Sequence, residues 1–221
     1  TISDTYLTMV RTGDKSSNGI SCLLIDKDSE GLSSGKLEDK MGWNSQPTAQ
    51  VIFENCKVPI KNLIGKEGEG FKIAMQGLDG GRINIASCSL GAARICLEKS
   101  LDYVNDRTQF GKKIADFQAT QFKLADMATQ LEAARLMVLK AASEIDNLGQ
   151  DATKISAMAK RFATDIGFSI CNEALQLHGG YGYLAEYEIE RFVRDVRVHQ
   201  ILEGTNEVMR VVISRSLLAN R

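Results

Sequence analysis

The sequence predicts a mainly α-helical protein, an antiparallel four-helix bundle preceded by a small antiparallel β unit. Three observations predict it. Both prolines, Pro47 and Pro59, fall in the first part of the chain and none follows. That same part carries short β-type runs cut by turn clusters. From about Glu69 onward the apolar residues recur every three or four positions, the period of a helix with one buried face.

The β-type runs cover residues 6–11, 20–26 and 50–53, with turn clusters at 12–19, 27–31 and 44–47. Three or four strands are thin for a free-standing sheet, and open edges invite further pairing. The unit therefore reads as part of a larger sheet. Gly65-Lys66-Glu67-Gly68-Glu69-Gly70 fits neither the Rossmann nor the P-loop spacing and reads as a hinge into the bundle.

A first long helix is expected from near Phe71 to Asn105. In a second, Leu124, Met127, Leu131, Ala134, Val138, Ala141 and Ile145 form one apolar stripe. Ile155, Met158, Phe162, Ile166 and Ile170 repeat the pattern in a third, and a last helix starts near Thr205. Long helices with short connections pack antiparallel. The expected division is 1–64 for the β unit and 65–221 for the bundle.

Composition excludes several classes. The chain has 27 basic and 28 acidic residues, a net charge of −1, so it offers no electrostatic footprint for nucleic acid or an anionic membrane. No apolar run approaches a membrane span, so no membrane insertion is expected. The five cysteines, Cys22, Cys56, Cys88, Cys96 and Cys171, lack metal-ligand spacing and read as buried thiols in a reducing compartment. With only two histidines beside them, no metal site is expected.

Four segments could carry chemistry. In Leu202-Glu203-Gly204-Thr205-Asn206 a carboxylate stands at the mouth of a helix, beside a glycine and two N-cap residue types. A dipole-stabilised acid and a catalytic base both fit this pattern. Gln176-Leu177-His178-Gly179-Gly180-Tyr181-Gly182-Tyr183 ends the third helix. Its paired glycines suit a C-cap, and they also suit backbone approach to a phosphate or ring edge. Asp106-Arg107-Thr108-Gln109-Phe110-Gly111-Lys112 closes the first helix, and the Arg107 fork matches a pyrophosphate. Leu78-Asp79-Gly80-Gly81-Arg82 places two glycines inside a helix, each at a propensity cost of roughly 1 kcal/mol, which suggests that something approaches the backbone closely.

In this order, these segments resemble the acyl-CoA dehydrogenase family, together with Gly-Trp-Asn-Ser-Gln-Pro-Thr at 42–48 and Gly68-Glu69-Gly70-Phe71. The resemblance covers essentially the whole chain. Residues 80–88, 178–183 and 201–203 are similar to members that act on short branched acyl-CoA of the isobutyryl type. The fold implied is the family's C-terminal helical domain, preceded by part of its middle β-barrel.

The resemblance implies FAD as cofactor and conversion of a saturated acyl-CoA to its 2,3-enoyl-CoA, in valine and other branched-chain catabolism. It makes Glu203 the base that removes the α-proton. Some members carry that base one residue before the arginine of the segment matching 78–82, and here that position is Gly81. It assigns Arg107, Gln109, Phe117 and Gln118 to FAD, with Gln176, Leu177, His178, Gly179 and Gly180 supplied across a subunit interface. Thr205, Asn206 and Glu207 would hold the FAD from the other side. Asp79, Gly80, Gly81, Arg82, Gly204 and Arg215 would meet the acyl-CoA.

An electron-transfer flavoprotein as acceptor and a homodimer or homotetramer are implied as well. The implied compartment is the mitochondrial matrix in a eukaryote and the cytoplasm otherwise. The chain opens at Thr1 partway into the family's barrel, so it reads as the C-terminal part of such an enzyme, inactive by itself. Two other readings stay open: a non-catalytic helical oligomerisation module, and an acyl-CoA oxidase on the same fold.

Overall fold

The computed structural model describes residues 2–219, which form two compact units. The first spans residues 2–40 and 44–78 of those described. Its strands are β1 (Thr5–Arg11), β2 (Ile20–Asp26), β3 (Leu32–Leu37), β4 (Ala49–Phe53) and β5 (Leu63–Ile64). They form an antiparallel sheet of order β1-β2-β5 and a separate β3-β4 hairpin pair. Thr5 pairs with Asp26 and Arg11 with Ile20, so β1 and β2 match along their full length. Side chains of β1 alternate between exposed and half-buried, the period-2 pattern of a sheet with one covered face.

The strand β3 was not expected. Its sequence, Leu-Ser-Ser-Gly-Lys-Leu, carries few β-formers and a central glycine, and its pairing slips between Ser34 and Leu37. The 65–70 loop does lead into a helix, but it is fastened to the sheet: Gly68 N–H donates to the buried Ser21 hydroxyl at 3.0 Å.

The helix α1 (Gly70–Asp106) begins in this unit and continues into the second, which comprises residues 41–43 and 79–219 of those described. There follow a small ribbon of β6 (Thr108–Gln109) and β7 (Lys112–Lys113), then α2 (Gln118–Asp146), α3 (Ala152–His178), α4 (Ile189–Arg197) and α5 (Asn206–Ala219). The ribbon turns at Phe110 and Gly111, both with positive φ, as a two-residue hairpin requires. The expected long helices are α1, α2, α3 and α5. The nine-residue α4 was not anticipated, because its sequence, Ile-Glu-Arg-Phe-Val-Arg-Asp-Val-Arg, is too short and too charged to declare a stripe.

Two apolar clusters hold this unit. Ala93 and Cys96 of α1 pack with Met127 of α2, Ile170, Cys171 and Ala174 of α3, and Ile189 and Val196 of α4. Ala86, Ala134, Val138, Ala141, Ala159 and Ala163 form the other. The α2 stripe faces inward as expected. The central helix is α3, whose buried positions are mostly small: Ser156, Ala157, Ala159, Ala163, Thr164 and Gly167. At Gly167 a Cβ would lie 2.9 Å from the Ser89 side chain, so the α1–α3 crossing needs glycine.

Three expectations are corrected. The helical-period run Val208, Val211, Val212 and Leu217 would mark the inner face of α5, yet Val208, Val211 and Leu217 are exposed and Val212 is half-buried, and Asn206 and Met209 are buried instead. Polar bonds to α3 set that rotation. Cys88 is exposed on the outer face of α1 and Cys56 is half-buried, whereas Cys22, Cys96 and Cys171 are buried; all five are free thiols. Of the two N-cap residue types, only Thr205 caps, accepting from Val208 N–H at 3.3 Å, while Asn206 starts the helix with its side chain turned inward.

Candidate active site

The expected residues gather into two clusters within the helical unit. The first surrounds Glu203, where a 3-10 turn at Val198–Gln200 hands over to α5. Glu203 has φ +56° and Gly204 has φ +88°, two left-handed residues in succession. For a glutamate this conformation costs of order 1 kcal/mol and persists only when its surroundings enforce it. The turn delivers the half-buried carboxylate to α1 at Gly81. A Cβ on Gly81 would stand 2.8 Å from Glu203 Cδ and 3.1 Å from Oε1, closer still to Oε2. The backbone approach implied by the double glycine is thus made by the carboxylate itself. At Gly80, no atom lies within 4 Å of a Cβ position.

On the same turn of α1, the buried Arg82 donates to Asp79 Oδ1 at 2.7 Å, and Thr153 donates to Asp79 Oδ2. Arg82 Nε is buried and finds no partner among the described residues. Behind the turn stands Lys160 of α3, which sequence reasoning missed. It is fully buried, and its ammonium donates to Gly204 C=O at 2.7 Å and to Asn206 Oδ1 at 2.9 Å. The Asn206 amide in turn donates to Thr164 Oγ1 at 2.9 Å and Asp165 Oδ1 at 2.7 Å. The available signal was a lone lysine among small residues, Ser156-Ala157-Met158-Ala159-Lys160, on a helix whose small residues mark close packing.

Glu207 is exposed at the α5 N-terminus, and its own backbone N–H, with the Thr205 hydroxyl, holds its carboxyl below the usual carboxylate range. Arg215 is exposed roughly two turns further along α5.

The second cluster is a groove of about 550 Å³. It brings together Arg107 and Gln109 from the ribbon with Gln176, Leu177, His178, Gly179 and Gly180 from the end of α3. One chain therefore supplies both segments to one place. Arg107 lies over the Tyr181 ring at 5.3 Å, which aims the guanidinium across the groove. At Gly179 and Gly180 a Cβ would meet nothing within 4 Å, so bare backbone faces open space. His178 bonds Ala174 C=O at 2.7 Å through Nδ1 and stacks on Tyr103 at 4.4 Å. Burial first, and Lys99 after it, lower its pKa against the pull of the Ala174 bond. His178 thus shapes the wall as a neutral ring. Phe117 packs edge-on to Phe110 at the groove's rim, and Gln118 is exposed at the start of α2.

Beside the Glu203 turn, His199 is 3% exposed; its Nδ1 meets the Ser89 hydroxyl at 2.8 Å and its ring meets Trp43 edge-on at 5.2 Å. Burial pushes its pKa down to about 4, with Asp195 opposing and Lys160 assisting. The folded value lies below the ordinary 6.5, so the stabilisation is complete above pH 6.5 and is lost as pH falls toward 4. The gap corresponds to about 3 kcal/mol. His199→Gln cannot be protonated and should show a smaller drop in urea midpoint between pH 7 and pH 4.5 than the wild type. An equal drop in both proteins would refute this.

The family model described as "Acyl-CoA dehydrogenase, C-terminal domain" matches residues 68–218, and that described as "Acyl-CoA dehydrogenase, middle domain" matches residues 1–56. The chain belongs to the acyl-CoA dehydrogenase family. Its relatives include isobutyryl-CoA dehydrogenase, mitochondrial, of Bos taurus, 58% identical over 97% of this chain and 52% of the relative. Among solved structures, butyryl-CoA dehydrogenase of Megasphaera elsdenii superposes with a TM-score of 0.94 at 43% identity, covering 97% of this chain and 56% of that one. A chain of the solved structure described as "Electron transferring flavoprotein of Acidaminococcus fermentans: Towards a mechanism of flavin-based electron bifurcation" gives a TM-score of 0.95 at 48% identity, covering 98% of this chain and 57% of that one. The chain spans about half the length of the curated relatives it matches.

Membership of the acyl-CoA dehydrogenase family implies FAD. The groove suits part of such a cofactor: a guanidinium, two side-chain amides and bare glycine backbone form a donor set for a pyrophosphate, and no acid lines it. Among the described residues, no helix is long and apolar enough to cross a membrane.

Proposed function

We propose that this protein is an FAD-dependent dehydrogenase of short branched acyl-CoA of the isobutyryl type, with Glu203 as the base. The observation that carries the reading is the Glu203 carboxylate, held on a left-handed turn against the bare backbone of Gly81. The α-proton of a thioester is weakly acidic, so its removal needs a base fixed in position and a polarised carbonyl. The rigid turn supplies the first. The glycine backbone of α1 leaves room for the acyl chain to approach.

Glu203 takes the α-proton, and the 2,3-enoyl-CoA forms as the β-hydrogen leaves with its electron pair. The chemistry that a bound FAD would supply is acceptance of that hydride. Arg107, Gln109, Gln176 and the backbone at Gly179 and Gly180 would hold its pyrophosphate-bearing part, with Phe117 and Gln118 nearby. Because one groove unites these residues, a subunit that lends one segment to a neighbour's FAD lends the other too. Thr205, Asn206 and Glu207 would meet the cofactor from the α5 side. Asp79, Gly80, Gly81, Arg82, Gly204 and Arg215 would meet the acyl-CoA.

The proposed setting includes an electron-transfer flavoprotein as acceptor, a homo-oligomer, a β portion over 1–64 with a helical portion over 65–221, and valine degradation. The mitochondrial matrix is the proposed compartment for a eukaryotic source. The isobutyryl-CoA dehydrogenase relative motivates the substrate.

A panel of saturated acyl-CoA thioesters, assayed on the full-length protein, tests it. Isobutyryl-CoA should exceed propionyl-CoA and hexanoyl-CoA in kcat/KM by about tenfold or more, the discrimination that one methylene in an apolar pocket supports. Preference for the straight six-carbon chain would sink the substrate assignment.

A further inference from the structure

Among the described residues, the largest side chain wholly withdrawn from solvent is a lysine. Lys160 reaches from the middle of α3 to the turn that carries Glu203. Neither the cofactor groove nor the proton transfer makes direct use of it. An apolar residue of that size would fill the space but take the Lys160 donor from Gly204 C=O and leave Asn206 Oδ1 only the longer 3.3 Å bond from the Thr164 hydroxyl, and under-satisfied buried acceptors are costly.

The clasp is specific in its parts. Lys160, Thr164 and Asp165 lie within about one turn and a half of α3. Lys160 holds Gly204 C=O, the residue immediately after Glu203. Asn206 is fixed from both ends, its oxygen on Lys160 and its amide on Thr164 and Asp165. Arg210 Nη1 adds a bond to Asn206 C=O at 3.0 Å. These bonds fasten the left-handed pair at Glu203 and Gly204, which among the described residues no hydrogen bond of the Glu203 side chain holds.

We propose that Lys160 is a positioning residue for Glu203: its ammonium pins the 203–206 turn from beneath and so sets the carboxylate against Gly81. This rests on the proposed role of Glu203 as base. The charge environment agrees. Burial brings the Lys160 pKa down from its ordinary value to about 8, and Arg82 of α1 acts in the same direction. Asp165 of α3, with Glu203 and Glu207 across the turn, oppose them. His199 of the 3-10 turn also feels the lysine's charge. Lys160 is therefore an ammonium below about pH 8 and loses its proton above it, which weakens the clasp.

The test uses the full-length enzyme with Lys160→Gln, which keeps a donor without charge, and Lys160→Met. With isobutyryl-CoA, kcat should fall by about 10²-fold in Lys160→Met, the effect of misplacing a reacting group by an ångström. Lys160→Gln should fall less. In both, KM and bound FAD should change much less than kcat, although Gly204 and Asn206 of the same turn are also placed at the acyl-CoA and the FAD. The wild-type kcat should decline above about pH 8, and both variants should lack that limb.

An unchanged kcat, or an alkaline limb that persists in the variants, overturns the proposal. A loss of kcat matched by loss of FAD and a lowered melting temperature in both variants also overturns it, in favour of a general packing role. Near-native turnover in Glu203→Gln instead refutes the base assignment, whatever the Lys160 variants do.

Discussion

Replacing Glu203 by glutamine in the full-length protein should lower turnover with isobutyryl-CoA by about 10²–10⁴-fold, the range that a positioned general base contributes. Glutamine matches glutamate in shape, so the left-handed turn has no new steric reason to change. The bonds that hold the turn, from Lys160 to Gly204 C=O and Asn206, do not involve the Glu203 side chain. The groove at Arg107 and Gly179 is built from other elements. Flavin content, read from visible absorbance, should therefore match the wild type while the flavin is no longer reduced by substrate. Near-native reduction would remove Glu203 from the mechanism.

Gly81→Ala should separate activity from stability. A methyl group there would crowd the Glu203 carboxylate, at 2.8 Å from Cδ. The carboxylate is the far end of a flexible side chain, so it can give way, and the fold survives. Its displacement should cost about 10²-fold in kcat. The helix itself should gain, because alanine replaces glycine inside α1, up to roughly 1 kcal/mol. The expected result is slower turnover with an equal or higher melting temperature. A variant with wild-type kcat would show that the close approach has no part in catalysis. A variant that unfolds would show that the contact with Gly81 cannot relax.

The helical architecture was legible because α2 writes its burial in large residues at a regular period. On α3 the large residues of the stripe, apart from the deeply buried Ile170, mark the flanks. Its deepest positions are alanine, serine, threonine and glycine, which carry little hydropathy signal. That is why Lys160 was invisible among them: a lysine's burial is decided by neighbours from other elements. The same holds for α5, where Val208 and Val211 face outward because Asn206 is bound to α3.

Of the double glycine at 80–81, Gly81 is a place of close approach as read and Gly80 faces open space, and what approaches Gly81 was beyond reach. Glu203 lies more than a hundred residues away in the chain and meets Gly81 only after α1 and α3 cross at Ser89 and Gly167. The Arg107 and Gly179 segments were likewise each recognisable, and they were expected on opposite sides of a subunit boundary. Folding places them on one groove of one chain.

The sequence by itself determined the family and the helical period and singled out the carboxylate proposed as the base, because these are written in local composition and in the order of motifs. Only the tertiary structure decided how the carboxylate is aimed, what clasps its turn and which distant segments share a surface. Those depend on helix crossings and buried hydrogen bonds between residues far apart in the chain, which no local pattern encodes.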